Sequence, residues 1–142
     1  MRKGIIIDTG VLVAFMMPSD KFHQWAVSSL TNIQYPVLTC EAVLTEVCFL
    51  LQKVHAEREK ALQLVKQGYI EIPFRLSDEI ESVEKLMQRY DSVPISLADA
   101  CLVRMAEIYT ETSVLTLDSD FRIYRQHRNQ EISVIMPDIG KK

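Results

Sequence analysis

Five acids hold the residues with chemical potential in this sequence. They are Asp8 in "GIIIDTGVLVA", Glu46 in "LTEV", Asp99 in "PISLADACLVRMA", and Asp118 with Asp120 in "LTLDSDF". Each stands in or beside an apolar run, where a carboxylate is costly to bury without a partner. Asp99 heads the apolar stripe of its helix, with Leu102, Val103 and Ala106 at i+3, i+4 and i+7. Glu46 is three residues after Val43 and four before Leu50, at the margin of a buried face. If Asp8, Glu46, Asp99 and Asp118 meet within roughly 6 Å, each ionised pair repels by about 2–3 kcal/mol at an effective dielectric of about 20. Six pairs sum to roughly 15 kcal/mol, as much as the whole stability of a domain. Such a cluster takes up protons or binds cations. Oxygen ligands without His or Cys suit Mg²⁺ or Mn²⁺. His23, His55 and His127 are scattered and do not form a catalytic set.

Each acid also has a plainer reading. Asp8 fits a strand-end turn, and Asp99 fits the acid of a capping box opened by Ser96. Glu46 fits an ordinary helix flank. Asp118 fits an N-cap, and Asp120 a first-turn acid that suits the helix dipole.

The elements that must position these acids alternate between strand and helix. Residues 4–7 read as a buried strand followed by a helix to Met17, and residues 20–31 as a second helix. "PVLT", 36–39, reads as a strand, 40–54 as an amphipathic helix, and 57–67 as a helix stopped by Gly68. "YIEIP" alternates like a strand, and Ser77 opens a charged helix to Tyr90. A helix at 97–109 follows, then the strands "SVLTLD", 113–118, and "ISVIM", with a short helical turn between them. The tail "DIGKK" reads as loose. This alternation predicts a parallel sheet with helices on both faces. Ligands of such sheets bind beyond the carboxyl ends of the strands. Asp8 and Asp118 both fall there, and the "PVLT" strand delivers the helix that carries Glu46.

At 142 residues, 48% apolar and 25% charged, the sequence is expected to form one domain over 1–142. Its net charge of −3 argues against a simple nucleic-acid binder. Cys40, Cys48 and Cys101 are odd in number and lack C-x-x-C spacing, which fits reduced thiols and a cytoplasmic setting. Asp8 interrupts the early apolar segment, so it does not read as a signal sequence. No apolar run approaches the length of a membrane span.

Taken in order, "IIIDTGVLVA", "LTEV", "SLADACLVRMA" and "LTLDSDF" resemble the PIN domain family, close to the VapC-type toxin ribonucleases. The resemblance implies a three-layer α/β/α sandwich with a central, mostly parallel sheet. It implies a metal-dependent nuclease acting on RNA, with Asp8, Asp99 and Asp118 as metal ligands and Asp120 as a possible extra. Glu46 either ligates or helps deprotonate the attacking water, and a 5′-phosphate product is implied. Thr9 and Thr116 match hydroxyl positions that orient carboxylates or water. A homodimer and an antitoxin partner are also implied, and the helices at 20–31 and 40–67 offer faces for either, or pack within the domain.

The stretch "RIYRQHR", 122–128, is the densest basic segment. Arg122, Arg125 and Arg128 are expected to meet RNA phosphates and Tyr124 to stack on a base, against the plainer reading of a solvated helical face. Two other functions compete. A phosphate-receiving signalling domain needs a central acceptor Asp and a Lys near the last strand, which the sequence does not supply in the right form. A PIN-fold interaction module without catalysis is the other, and the intact acids argue against it.

Overall fold

The computed structural model describes residues 4–54 and 57–138; the tail 139–142 and His55 lie outside the described residues. Five strands form one parallel sheet: β1 (Gly4–Ile7), β2 (Val37–Leu38), β3 (Ile70–Glu71), β4 (Thr112–Leu115) and β7 (Val134–Ile135). A separate antiparallel hairpin pairs β5 (Arg125–Gln126) with β6 (Gln130–Glu131). The helices are α1 (Thr9–Met16), α2 (His23–Thr31), α3 (Glu41–Leu50), α4 (Glu57–Lys66), α5 (Ile80–Arg89) and α6 (Leu97–Ile108).

Spatially the sheet runs β3-β2-β1-β4-β7. β1 is central, with Ile6 opposite Leu38 on one side and Ile7 opposite Leu115 on the other. Helices flank the sheet, so β1 is not alternating: Ile5, Ile6 and Ile7 are all buried. This is the α/β/α arrangement expected. The order differs from the 2-1-3-4-5 of phosphate-receiving domains. Successive strands step one way from β1 to β2 and β3, then the other way to β4 and β7. The crevice of such a sheet lies where that order reverses, at the carboxyl ends of β1 and β4.

Gly68 closes α4 with φ +88°, a conformation that favours glycine. Elsewhere local interactions shift the boundaries. The helix expected from Asp20 starts at His23, because Asp20 forms a turn: its carboxylate accepts from Phe22 N at 2.8 Å and its carbonyl from His23 N at 3.0 Å. The charged helix expected from Ser77 is a 3-10 turn, Leu76–Asp78, followed by α5. An Arg75–Asp78 ion pair at 3.1 Å spans that turn. The basic stretch 122–128 is neither one helix nor a single face. It holds the end of a second 3-10 turn (Ser119–Arg122), then β5, then the hairpin turn. His127 and Arg128 take positive φ there, +48° and +76°, and Glu107 accepts from His127 N at 2.8 Å.

Candidate active site

Asp8 follows β1 directly and caps α1. Its Oδ1 accepts from Thr9 N at 2.7 Å, which satisfies one of the free amides of the helix start. Its Oδ2 accepts from Thr116 Oγ1 at 2.7 Å. Thr116 is the first residue after β4, fully buried, and its hydroxyl also accepts from Asp118 N at 2.9 Å. That single hydroxyl therefore joins the ends of the two strands at the crevice. Asp118 in turn caps the 3-10 turn after it, accepting from Asp120 N at 2.9 Å.

Glu46 reaches the same place from α3, where Thr9 Oγ1 donates to its Oε1 at 2.6 Å. Asp99 arrives on the first turn of α6. The capping spacing holds: Ser96 Oγ accepts from Asp99 N at 3.0 Å. Asp8, Thr9, Glu46, Ser96, Asp99 and Asp118 line one open pocket of about 540 Å³, with Gly10, Leu50 and Leu117.

The expected convergence of four acids on one pocket is therefore present. Asp120 is not among the pocket's lining residues. It sits inside the capped turn, where its amide serves Asp118 and its carbonyl accepts from Ile123 N and Tyr124 N. The three arginines do not line the pocket either. Arg122 and Arg128 are exposed, whereas Arg125 Nη1 is turned to the backbone carbonyls of Arg122, Ile123 and Tyr124. The expectation for Tyr124 is overturned: its ring is fully buried and cannot stack on a base. It packs edge-on against Phe121 and Tyr90, and its hydroxyl lies 3.3 Å from Asp99 Oδ2.

The electrostatics follow from crowding. Burial pushes the Asp8 carboxyl above its ordinary range, the bonds from Thr116 and Thr9 hold it down in part, and Asp118 and Glu46 push it up further. Asp99 is raised to about 7, first by burial and then by Asp8 and Asp118, with Glu46 adding less. No lysine or arginine among the described residues offsets either shift. A compensating charge must come from solution, as protons or as a cation.

As a donor set these carboxylates suit a hard divalent ion. Among the described residues, however, no three Asp, Glu, His or Cys side chains are grouped so as to hold a metal ion as they stand. Both Asp8 oxygens accept hydrogen bonds, and Asp118 Oδ1 is held by its cap. Taking up an ion therefore requires side chains to turn inward.

Sequence reasoning did not find two polar contributors. Thr39, fully buried, donates to Ile7 O at 2.9 Å and pins the end of β1. Its only signal was a hydroxyl at the end of a short strand. The Tyr124–Asp99 contact links residues 25 apart and leaves no local pattern at all.

A model of the PIN domain family matches residues 5–126. No match was found among curated proteins. Among solved structures, the chain is similar to VapC20 of Mycobacterium tuberculosis, described as a sarcin-ricin loop cleaving toxin. The two share 21% identity, cover 82% of this chain and 92% of that one, and superpose with a TM-score of 0.75. At that identity the likeness is one of fold.

Proposed function

The chain belongs to the PIN domain family, and from that premise we propose that it is a divalent-metal-dependent ribonuclease. One observation carries the proposal. Four carboxylates from remote segments line a single pocket at the strand-order reversal, and no lysine or arginine among the described residues offsets their shifts. Asp8, Asp99 and Asp118 would hold Mg²⁺ or Mn²⁺. Bound there, the ion supplies charge for the scissile phosphate and makes a water more acidic.

The chain's own groups divide the remaining work. Thr116 fixes Asp8 and the Asp118 backbone together, which sets the spacing of two ligands. Thr9 holds Glu46 by Oε1, leaving Oε2 to ligate or to accept the proton of the attacking water. In-line attack by that water would break the P–O3′ bond, giving a 5′-phosphate and a protonated 3′-hydroxyl leaving group, as the family resemblance implies. Leu50 and Leu117 supply the apolar part of the lining.

The fold-level likeness to VapC20, described as a toxin, supports a toxin reading. An antitoxin partner, a homodimeric state and a cytoplasmic setting belong to that reading as what the family resemblance implies. No helix among the described residues is long and apolar enough to cross a membrane. An apolar pocket of about 210 Å³, lined in part by Leu12, Phe15, Leu30 and Leu64, supports docking of an antitoxin segment on the α1–α2–α4 side.

The test is cleavage of a labelled RNA panel with Mg²⁺, with Mn²⁺ or with chelator, beside Asp8→Asn. Cleavage that needs metal and vanishes in the variant supports the proposal. Cleavage that persists in chelator, or in the folded variant, overturns it. A folded protein that cleaves no RNA and binds no metal is instead an interaction module. Sedimentation at micromolar concentration checks the dimer, which a monomer would exclude.

A further inference from the structure

Tyr124 lies in a segment whose sequence reads as basic surface, yet its ring is fully buried. Phe121 and Tyr90 meet it edge-on, with centroids at 5.2 and 5.1 Å. A phenol buried this way must give its hydroxyl a partner. Two acceptors are in reach: Pro94 O at 3.2 Å and Asp99 Oδ2 at 3.3 Å. A single hydroxyl hydrogen serves one of them at a time. A carboxylate makes the stronger bond of the two when ionised.

The backbone carrying the hydroxyl is held from several sides. Tyr124 N donates to Asp120 O at 3.0 Å, closing the turn that Asp118 caps. Arg125 N donates to Tyr90 Oη at 2.8 Å, tying that turn to the end of α5. Arg125 Nη1 then takes up carbonyls of the same turn. These bonds fix the backbone that carries the phenol and so set where its hydroxyl points.

We propose that Tyr124 is a positioning residue, whose hydroxyl holds Oδ2 of Asp99 and couples that acid to the turn capped by Asp118. The two acids come from α6 and from the end of β4, and among the described residues no hydrogen bond joins them directly. Through Tyr124 they share one rigid support. The hold on Oδ2 leaves Oδ1 of Asp99 for a cation. The consequence for metal affinity rests on the ribonuclease reading above; the hold itself does not.

The test uses the full chain and Tyr124→Phe, which keeps the ring and removes only the hydroxyl. Three quantities are read: the Asp99 side-chain rotamer in metal-free protein by NMR couplings, Mn²⁺ affinity by calorimetry, and the urea midpoint. The proposal expects Asp99 to leave its present rotamer. It expects Mn²⁺ to bind about tenfold more weakly, the low end of the cost of losing a hydrogen bond to a ligating side chain.

An unmoved Asp99 overturns the proposal. A lower urea midpoint with an unmoved Asp99 and unchanged Mn²⁺ affinity would assign the hydroxyl to Pro94 alone. If wild type binds no Mn²⁺, the metal reading falls, and the Asp99 rotamer still decides the positioning role. If Tyr124→Phe does not fold, protein labelled with 3-fluorotyrosine replaces it. The Tyr124 fluorine resonance then shifts on Asp99→Ala, which removes the acceptor, if the hydroxyl serves Asp99, and its constancy overturns the proposal.

Discussion

Replacing Asp99 by Asn should stabilise the metal-free protein and abolish its response to metal. The Asp99 carboxyl sits at about 7, against an ordinary 3.8, a difference of 7 − 3.8, or 3.2 units. At about 1.4 kcal/mol per unit, the ceiling on the strain is about 4 kcal/mol. Asp99 is half-buried and solvent screens its open side, which leaves about 1–2 kcal/mol. The native state holds the proton more tightly than the unfolded chain. The penalty is therefore absent below pH 4, grows as pH rises, and is complete above pH 7. Asn keeps an acceptor for Tyr124 but gives up the acid in the first turn of α6, a loss of about 0.5 kcal/mol. In chelator at pH 8 the variant should melt about 2–6 °C above wild type, and at pH 4 the gain should vanish. With Mg²⁺ at a hundred times its dissociation constant, wild type gains about 2.7 kcal/mol and the order reverses. Differential scanning calorimetry in chelator and in Mg²⁺, at both pH values, reads all four states. A variant less stable than wild type in chelator at pH 8 would refute the reasoning, because the crowding would then not be a net cost.

Thr116→Val removes the donor to Asp8 and the acceptor for Asp118 N in a buried spot. We expect a loss of about 2–3 kcal/mol in urea unfolding and a further rise of the Asp8 pKa, read by NMR titration. Thr9→Val releases Glu46 at the pocket wall. RNA cleavage should fall about tenfold or more, with a Tm change of no more than a few degrees, checked by single-turnover kinetics beside a melt. Arg125→Met strips the bonds to three carbonyls of its own turn. It should lower the urea stability by about 1–2 kcal/mol while leaving the salt dependence of RNA binding unchanged. The double variant Arg122→Ala/Arg128→Ala should do the reverse, flattening the salt slope without loss of stability, as fluorescence anisotropy at several ionic strengths would show.

The features that sequence carried well are those set by short-range pattern. Three consecutive isoleucines before Asp8 announced a strand covered on both faces. Ser96 and Asp99 announced a helix start by their spacing, and Gly68 a helix end by its backbone freedom. The convergence of the acids was legible because a parallel sheet has one ligand-binding edge, so strand ends alone place Asp8 and Asp118 together. What remained hidden depends on contacts between distant segments. Phe121 stands three residues before Tyr124, yet nothing in the string records that it and the distant Tyr90 enclose the Tyr124 ring, and three arginines in seven residues suggested the surface instead. The β5–β6 hairpin was hidden because its turn uses His127 and Arg128 at positive φ, where glycine or asparagine is the usual signal. Asp120 stood as a possible extra ligand because two acids two residues apart look equivalent in a string. In the fold one is the cap and the other is inside the turn that it caps.

The plainer readings of the acids and the functional one are parts of a single arrangement. Asp8 caps α1, Asp118 caps a 3-10 turn, and Asp99 sits in the first turn of α6 beside its Ser96 cap. Each of these charges faces the positive end of a helix or turn, where an anion gains about 0.3–1 kcal/mol. Three such gains are small beside the mutual repulsion of four carboxylates, so capping alone does not hold the cluster in its ionised form. Capping instead sets orientation. It engages Oδ1 of Asp8 and of Asp118, so that neither acid can rotate freely away from the pocket. Thr116, Thr9 and Tyr124 each add a hydroxyl contact to one more carboxylate oxygen, on Asp8, Glu46 and Asp99 respectively. These contacts hold the metal-free orientation through neutral donors, which do not cancel the negative charge, and the side chains turn from it to take up an ion. A lysine or arginine in any of those places would fix the carboxylates equally well and remove the need for a cation. The choice of hydroxyls over ammonium or guanidinium groups leaves the pocket acidic, as the proposed metal-dependent reading requires.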